Sequence, residues 1–147
     1  MPSFPSLLAL AHLIGLALAV GGATSKLALL LKCKADIAFL PTYVAATKPI
    51  TRLIVLGLAL LTLSGVGWML IGYPFTPTLI VKLALVASIW VLGPIIDNVV
   101  EPRFQKLAPK PGESASSEFV RNQQRYLLLE MLATGLFYVI LVFWMLR

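Results

Sequence analysis

The chain has 147 residues, of which 59% are hydrophobic and 12% are charged, and its mean hydropathy is +0.93. Soluble domains carry about 25% charged residues, so this composition excludes a soluble globular domain. The formal net charge of +6 does not indicate a nucleic-acid partner, because most of the basic residues flank two connections between apolar segments. Anionic lipid headgroups are a sufficient partner for that charge.

Four apolar segments follow one another along the chain, at about 5–31, 50–72, 77–100 and 120–146. Each exceeds the ~20 residues that a helix needs to cross a bilayer. Because a helix satisfies its own backbone polar groups, the predicted fold class is all-α, an integral membrane four-helix transmembrane bundle in one domain. The first segment lacks a basic stretch before it and is too long for a signal peptide, so we expect a retained helix.

The basic residues predict how this bundle is oriented. The second connection, 73–78, carries none of them, and the residues before the first segment carry none either. By the positive-inside rule, loops 32–49 and 101–119 are cytoplasmic and both termini lie on the outer side of a bacterial-type inner membrane. The basic residues at the first and third connections are Lys26, Lys32, Lys34, Lys48 and Arg52, then Arg103, Lys106, Lys110, Arg121 and Arg125.

The three connections differ in character. Two prolines and a glycine in Gly72–Pro77 predict a tight turn, which makes the second and third helices a hairpin. The half-apolar segment 34–48 is expected to be a short interfacial piece interrupted by Pro41. The segment 101–118 is rich in proline and serine and is expected to be a polar loop. Pro94 predicts a kink in the third helix.

His12 is the only histidine, and it lies inside the first apolar segment. With Gly15, Ala19 and Gly22 it forms one stripe of the helix, which predicts that it faces the bundle and not the lipid. Histidines in such positions bond, ligate or carry a proton. Two interpretations stay open: a histidine bonded to a neighbouring helix, or an axial ligand of haem b, for which the small residues would leave space.

Two further residues are candidates for the same cofactor site. Lys82 and His12 lie at similar depths of ~10 Å, so they could approach each other, and Lys82 could hold a propionate or an acidic headgroup. Met69 lies at a comparable depth and is the candidate second axial ligand, because the chain has no second histidine. No catalytic residue is assigned, and the sequence shows no cluster of metal ligands.

Glu130 and Asp97 are candidates for a polar or proton-carrying network. Glu130 lies about ten residues inside the fourth segment, and we expect a neutral carboxyl bonded to Thr62, Ser64, Arg125 or water. Asp97 lies near the cytoplasmic surface, where its expected ion-pair partners are the basic residues Lys26, Arg52 and Arg121.

Short motifs in three helices resemble those of bacterial four-helix membrane proteins related to the CopD copper-resistance domain and the HemJ-type protoporphyrinogen oxidases. They are Ala11-His-Leu-Ile-Gly15 with Gly21-Gly22, Thr62-Leu-Ser-Gly-Val-Gly67 and Val81-Lys-Leu-Ala-Leu-Val86. The resemblance implies that His12 is a functional histidine and that Lys82 is the characteristic lysine of the third helix.

Two classes of function follow from these expectations. The first is a small haem- or quinone-associated redox protein in which His12 faces the bundle interior. The alternative is a non-catalytic accessory or assembly subunit of a larger membrane complex. The expected partners are the lipid bilayer and either further copies of this chain or a larger membrane complex, with no nucleic acid.

Overall fold

The computed structural model describes residues 3–110 and 113–145, and the side chains of 3–110 and 113–143. All regular secondary structure in these residues is helical, and they contain no strand, as predicted. A 3-10 turn, Ile37–Phe39, precedes the second helix, and a π-helical turn, Ile96–Val100, joins the third to the fourth. The α-helices are α1 Phe4–Ala35, α2 Leu40–Leu70, α3 Pro77–Ile95, α4 Glu101–Lys106 and α5 Ser117–Met145.

Four helical runs in the described ranges are long and apolar enough to cross a membrane. They contain 27 to 34 residues each, which corresponds to ~40–50 Å of helix against ~30 Å of hydrocarbon. The helices therefore extend beyond the predicted spans. The runs are Phe4–Ala35, Ile37–Leu70, Pro77–Lys106 and Ser117–Phe143.

The four runs alternate in direction, in the predicted up-and-down order. Along α1, His12 contacts Ser64 of α2, whereas Gly22 lies against Ile54, so the two helices are antiparallel. One end of the bundle holds the 71–76 connection, and we call it the turn end. The opposite end holds the connection 36–39 and residues 107–110 and 113–116, and we call it the basic end.

The first connection is much shorter than the sequence predicts. Helix α1 continues to Ala35 and α2 already begins at Leu40, so most of the predicted loop 32–49 is helical. Pro41 lies in the first turn of α2, where its missing amide hydrogen removes no intrahelical bond. The expectation that Pro41 interrupts a separate interfacial piece is therefore wrong.

The predicted polar loop 101–118 is also partly helical. Residues Glu101–Lys106 form α4, which continues the third run through the π-helical turn. Pro102 is tolerated there because it lies in the first turn of α4. At the other end of the fourth segment, α5 is described to Met145, and the predicted limit at Leu146 lies outside the described residues.

The bundle core has two parts. The middle of the bundle is apolar, and its buried residues are Ala19, Ala23, Leu58, Leu61, Ile89 and Phe137. The basic end holds an aromatic group in which the Phe104 ring stacks on Phe119 at 5.2 Å between centroids. Tyr43 and Tyr126 complete that group and bring two hydroxyl groups into the interior.

Candidate functional site

Lys26 is almost completely buried, with 1% of its surface exposed. It lies on the face of α1 that also buries Ala19, Ala23 and Leu30. Lysine is almost never fully buried unless it is paired. Because the sequence places Lys26 among the basic residues flanking a loop, its position inside the bundle is a correction.

The Lys26 ammonium group is held by carboxyl groups from two other helical runs. Its Nζ atom contacts three carboxylate oxygens: Oδ1 of Asp97 at 2.7 Å, Oε1 of Glu130 at 2.9 Å and Oε2 of Glu101 at 3.1 Å. We call these four residues the Lys26 cluster. Asp97 was expected to pair with Lys26, Arg52 or Arg121, and the first of these pairs is confirmed. Glu130 was expected to meet Thr62, Ser64, Arg125 or water, and its contact with Lys26 corrects that expectation.

A π-helical turn presents two of these carboxyl groups. Asp97 lies within Ile96–Val100, and Glu101 follows directly at its end. Pro94 precedes the turn, and the Asn98 side-chain amide donates to the Pro94 carbonyl at 2.9 Å. Single π-helical turns inside α-helices occur frequently at functional sites. The irregularity thus coincides with the charged residues of the third run.

Glu101 is the best-satisfied carboxyl group of the cluster. Besides the contact with Lys26, its Oε2 accepts a hydrogen bond from the Tyr126 hydroxyl at 2.9 Å. Its Oε1 accepts from the Gln105 amide at 3.1 Å. Because Tyr126 donates to Glu101, the 2.7 Å bond between the two tyrosine hydroxyls has Tyr43 as its donor. Two hydrogen bonds and one ammonium contact thus satisfy this carboxyl group.

Glu130 is the least satisfied carboxyl group. It is 4% exposed, and its Oε1 receives no well-oriented hydrogen bond from any described residue, although the Lys26 nitrogen lies 2.9 Å away. With all groups ionised, one ammonium group would face three carboxylates in a buried site. An uncompensated buried charge costs several kcal/mol, so this arrangement favours a proton on one carboxyl group.

A cavity of about 410 Å³ connects the cluster to the basic end. Asp97 and Glu101 line it, and 26% of the Asp97 side chain is exposed. Its remaining lining residues are Lys48, Thr51, Arg52, Pro102 and Gln105. Water can therefore reach the Asp97 carboxyl group from the basic end.

His12 forms a separate polar site nearer the turn end. Its Nδ1 lies 2.9 Å from the Ser64 hydroxyl, and that hydroxyl already donates to the Leu60 carbonyl at 2.6 Å. His12 Nδ1–H is therefore the donor, which leaves the lone pair on Nε2. Lys82 is half-buried and interacts electrostatically with His12, in line with their predicted proximity.

The small residues beside His12 pack against a helix and do not leave space for a macrocycle. A Cβ atom on Gly15 would lie 2.8 Å from the Gly57 carbonyl oxygen and 2.9 Å from the Leu61 nitrogen. The backbone of α2 thus occupies the space beside the small-residue stripe, where the sequence predicts room for haem. Met69 lies five residues beyond Ser64, about 140° around the helix from the His12 bond. The contacts around His12 therefore do not form a haem pocket, although haem ligation itself stays a prediction.

An optical spectrum of the purified protein decides between the two interpretations of His12, a histidine bonded to a neighbouring helix or an axial haem ligand. Because no space for a macrocycle lies between α1 and α2, we expect no Soret band, in the presence or absence of added haem. His12→Ala should lower the free energy of unfolding by only about 1 kcal/mol, the typical contribution of one hydrogen bond. A Soret band in the native protein that is lost in His12→Ala would contradict this expectation.

Sequence reasoning missed Lys26 as a functional residue, although a signal was present. The stripe that runs through Gly15 and Ala19 continues to Ala23 and then to Lys26 at helical spacing. Following that stripe one turn further would have placed the lysine on the buried face. The charge of Lys26 instead favours a position beside the loop, because basic residues at helix ends usually indicate membrane topology.

Comparison of the chain with family models, with curated proteins and with solved structures found no match. Among the described residues, no group of three or more histidine, cysteine or acidic side chains has an arrangement that could hold a metal ion. The resemblance to CopD-related and HemJ-type proteins stays a prediction, and the functional argument rests on the site itself.

Proposed function

We propose that the chain is an integral membrane protein whose four long helical runs cross the bilayer, with the basic end in the cytoplasm of a bacterial-type inner membrane. Hydropathy and length support the spans, and the basic residues around the connections support the orientation. Both termini are then on the outer side. In this orientation the Lys26 cluster lies in the cytoplasmic half of the bundle.

The function that the geometry supports best is reversible proton binding at the Lys26 cluster, which makes the protein a pH-responsive helix bundle. The observation that carries this proposal is one buried ammonium group in contact with three carboxyl groups. Ionisable groups inside membrane segments are functional by default, because placing them there is expensive. Glu130 is the proposed proton carrier. Of the other two carboxyl groups, Glu101 has more hydrogen-bond donors, and Asp97 is more accessible to water.

The exchange needs no group beyond those in the cluster and water. A proton from water in the cavity binds the Asp97 carboxylate, and the Lys26 ammonium group donates a proton to Glu130. Lys26 then regains a proton from Asp97, so the net result is one proton moved from water to Glu130. The Lys26 nitrogen donates to Asp97 at 2.7 Å, whereas the transfer to Glu130, 2.9 Å away, requires the ammonium group to reorient, because Glu130 Oε1 receives no well-oriented hydrogen bond.

The proposed exchange takes place with one side of the membrane only. His12 and Lys26 are ~21 Å apart along α1, because each helical residue rises ~1.5 Å. Two buried α1 residues between them, Ala19 and Ala23, belong to the apolar middle of the bundle. Such a layer blocks a continuous polar path, so the cluster acts as a sensor and not as a conduit.

Proton binding at Glu130 would weaken its attraction to Lys26 and thereby loosen α5 from α1. The signal is the position of one spanning helix against another, which a partner or a catalytic step can read. The redox function predicted for His12 and the alternative role as an accessory subunit stay predictions.

Infrared difference spectroscopy of the protein in lipid bilayers tests the proposal. Between acidic and alkaline buffer we expect a carbonyl band of a protonated buried carboxylic acid that disappears on deprotonation. Glu130→Gln should remove that band, because an amide cannot titrate there. The matched control is Glu118→Gln, whose side chain is 49% exposed and pairs with Arg103 at the surface. The control should retain the band.

Two results would overturn proton binding at Glu130. One is a difference spectrum of the native protein without any buried carboxylic acid band across the pH range in which it stays folded. The other is a band that persists unchanged in Glu130→Gln while this variant keeps the native helix content.

A further inference from the structure

The cavity at the basic end has walls of opposite charge. One wall is a face of α2 that carries Lys48 and Arg52, one helical turn apart. The opposite wall is the face of the third run that carries Asp97 and Glu101. Neither of these basic side chains forms an ion pair with any residue that the structure describes. The two walls therefore face each other across open space.

Polar atoms on the same cavity lack partners. The Thr51 hydroxyl is buried and bonds to nothing in the described ranges. In contrast, five other helical hydroxyls bond the carbonyl four residues back, those of Thr24, Thr47, Thr62, Ser64 and Ser88. Asp97 uses Oδ1 for Lys26, whereas Oδ2 accepts no hydrogen bond from a described residue. The Asp97 carboxylate thus presents an unused acceptor to the cavity, whereas the Thr51 hydroxyl oxygen is enclosed by protein.

We infer that this cavity binds a small zwitterion that carries a primary ammonium group and an oxyanion. The oxyanion contacts Lys48 and Arg52, and the ammonium group donates to Asp97 Oδ2. A simple anion would meet the carboxylates of the opposite wall, and a simple cation would meet the two basic side chains. Only a dipolar ligand satisfies both walls.

The size of the cavity fits such a ligand. Its volume of about 410 Å³ lies within the ~300–1,000 Å³ that small-molecule sites span. Two sources share the chemistry: the headgroup of an aminophospholipid, and a free zwitterion such as phosphoethanolamine. The inference goes beyond proton binding at Glu130 and does not depend on it, because Glu130 does not line the cavity.

Calorimetric titration of the full chain in detergent tests the inference with two probes. Phosphoethanolamine represents the free zwitterion, and short-chain phosphatidylethanolamine represents the lipid headgroup. We expect saturable binding of at least one of them. The corresponding choline compounds should bind about tenfold more weakly, because a quaternary ammonium group cannot donate a hydrogen bond to Asp97.

Variants locate the site. Lys48→Gln and Arg52→Gln should each weaken binding about tenfold, the typical effect of losing one charge-assisted hydrogen bond. Lys34→Gln is the matched control, since Lys34 is an exposed lysine at the same end of the bundle and does not line the cavity. Glu130→Gln should bind as the native chain does, which separates this test from that of proton exchange.

Each outcome decides the inference. Binding of both probes identifies a site open to free zwitterions, and binding of the lipid probe alone identifies the headgroup as the ligand. The inference is overturned if neither probe binds, or if choline compounds or inorganic phosphate bind equally well. It is also overturned if Lys48→Gln and Arg52→Gln bind as tightly as Lys34→Gln.

Discussion

Replacing Lys26 with methionine will lower the free energy of unfolding by about 3–5 kcal/mol, the typical cost of breaking a buried ion pair by removing one partner. Methionine is unbranched and only one heavy atom shorter than lysine, and it removes the charge, so three carboxyl groups stay behind without a cation. Because those groups come from two other helical runs, the loss acts on the whole bundle. The measurement is a denaturant titration in mixed micelles, followed by circular dichroism.

The matched control is Lys34→Met in the same helix. Lys34 is exposed and has no ion pair with a described residue, so its replacement should change the free energy of unfolding by less than about 0.5 kcal/mol. Combining Lys26→Met with Glu130→Gln should destabilise the protein less than the sum of the two single changes. Strict additivity, or a loss below about 1 kcal/mol for Lys26→Met, would contradict the ion cluster as described.

Gly57→Ala is expected to destabilise the bundle by about 1–3 kcal/mol, the usual effect of overpacking an interior. A Cβ atom at this position would lie 2.5 Å from the Ala19 nitrogen and 2.7 Å from the Gly15 carbonyl oxygen. Both are backbone atoms, which cannot rotate away, so α1 and α2 would have to separate. The same denaturant titration measures the effect.

Gly65→Ala in the same helix is the control for this change. A Cβ atom on Gly65 meets nothing within 4 Å, so the methyl group fits without displacement. Because glycine weakens a helix interior relative to alanine, the control should be neutral or stabilise by about 0.5–1 kcal/mol. Equal effects of the two substitutions would show that the close approach of α1 and α2 at Gly57 is not under steric constraint.

The sequence predicted the number, order and direction of the long helices but not where they end. Pro41 and the proline-rich segment 101–118 predict interruptions, whereas Pro41 and Pro102 each lie in the first turn of a helix, where proline is compatible with the backbone. Local composition does not separate a proline that ends a helix from one that begins the next. Whether the helix continues depends on whether neighbouring helices offer a surface on which the added turns can pack. Phe104 of α4 packs in this way, in the buried core of the basic end.

Residue pairing was predicted only in part. His12 was expected to face the bundle, and its bond to Ser64 agrees with this, whereas the space proposed beside it is filled by α2. Asp97 was given Lys26 as one of three partners, yet the convergence of three carboxyl groups on that lysine was not anticipated. A single sequence states which groups are ionisable, but not which of them share a layer of the bundle.

The sequence by itself determined that the described chain forms four long apolar helices that alternate in direction. Hydropathy and helix length belong to each segment alone, and short connections leave antiparallel packing as the simple solution. Only the tertiary structure decided where the functional groups meet. Lys26 and Asp97 are 71 residues apart in the chain, and their 2.7 Å contact depends on the register between separate helices. That register is set by close packing such as that at Gly57. The small-residue stripe of α1 predicts which face packs, but not which residues of the other helix it meets.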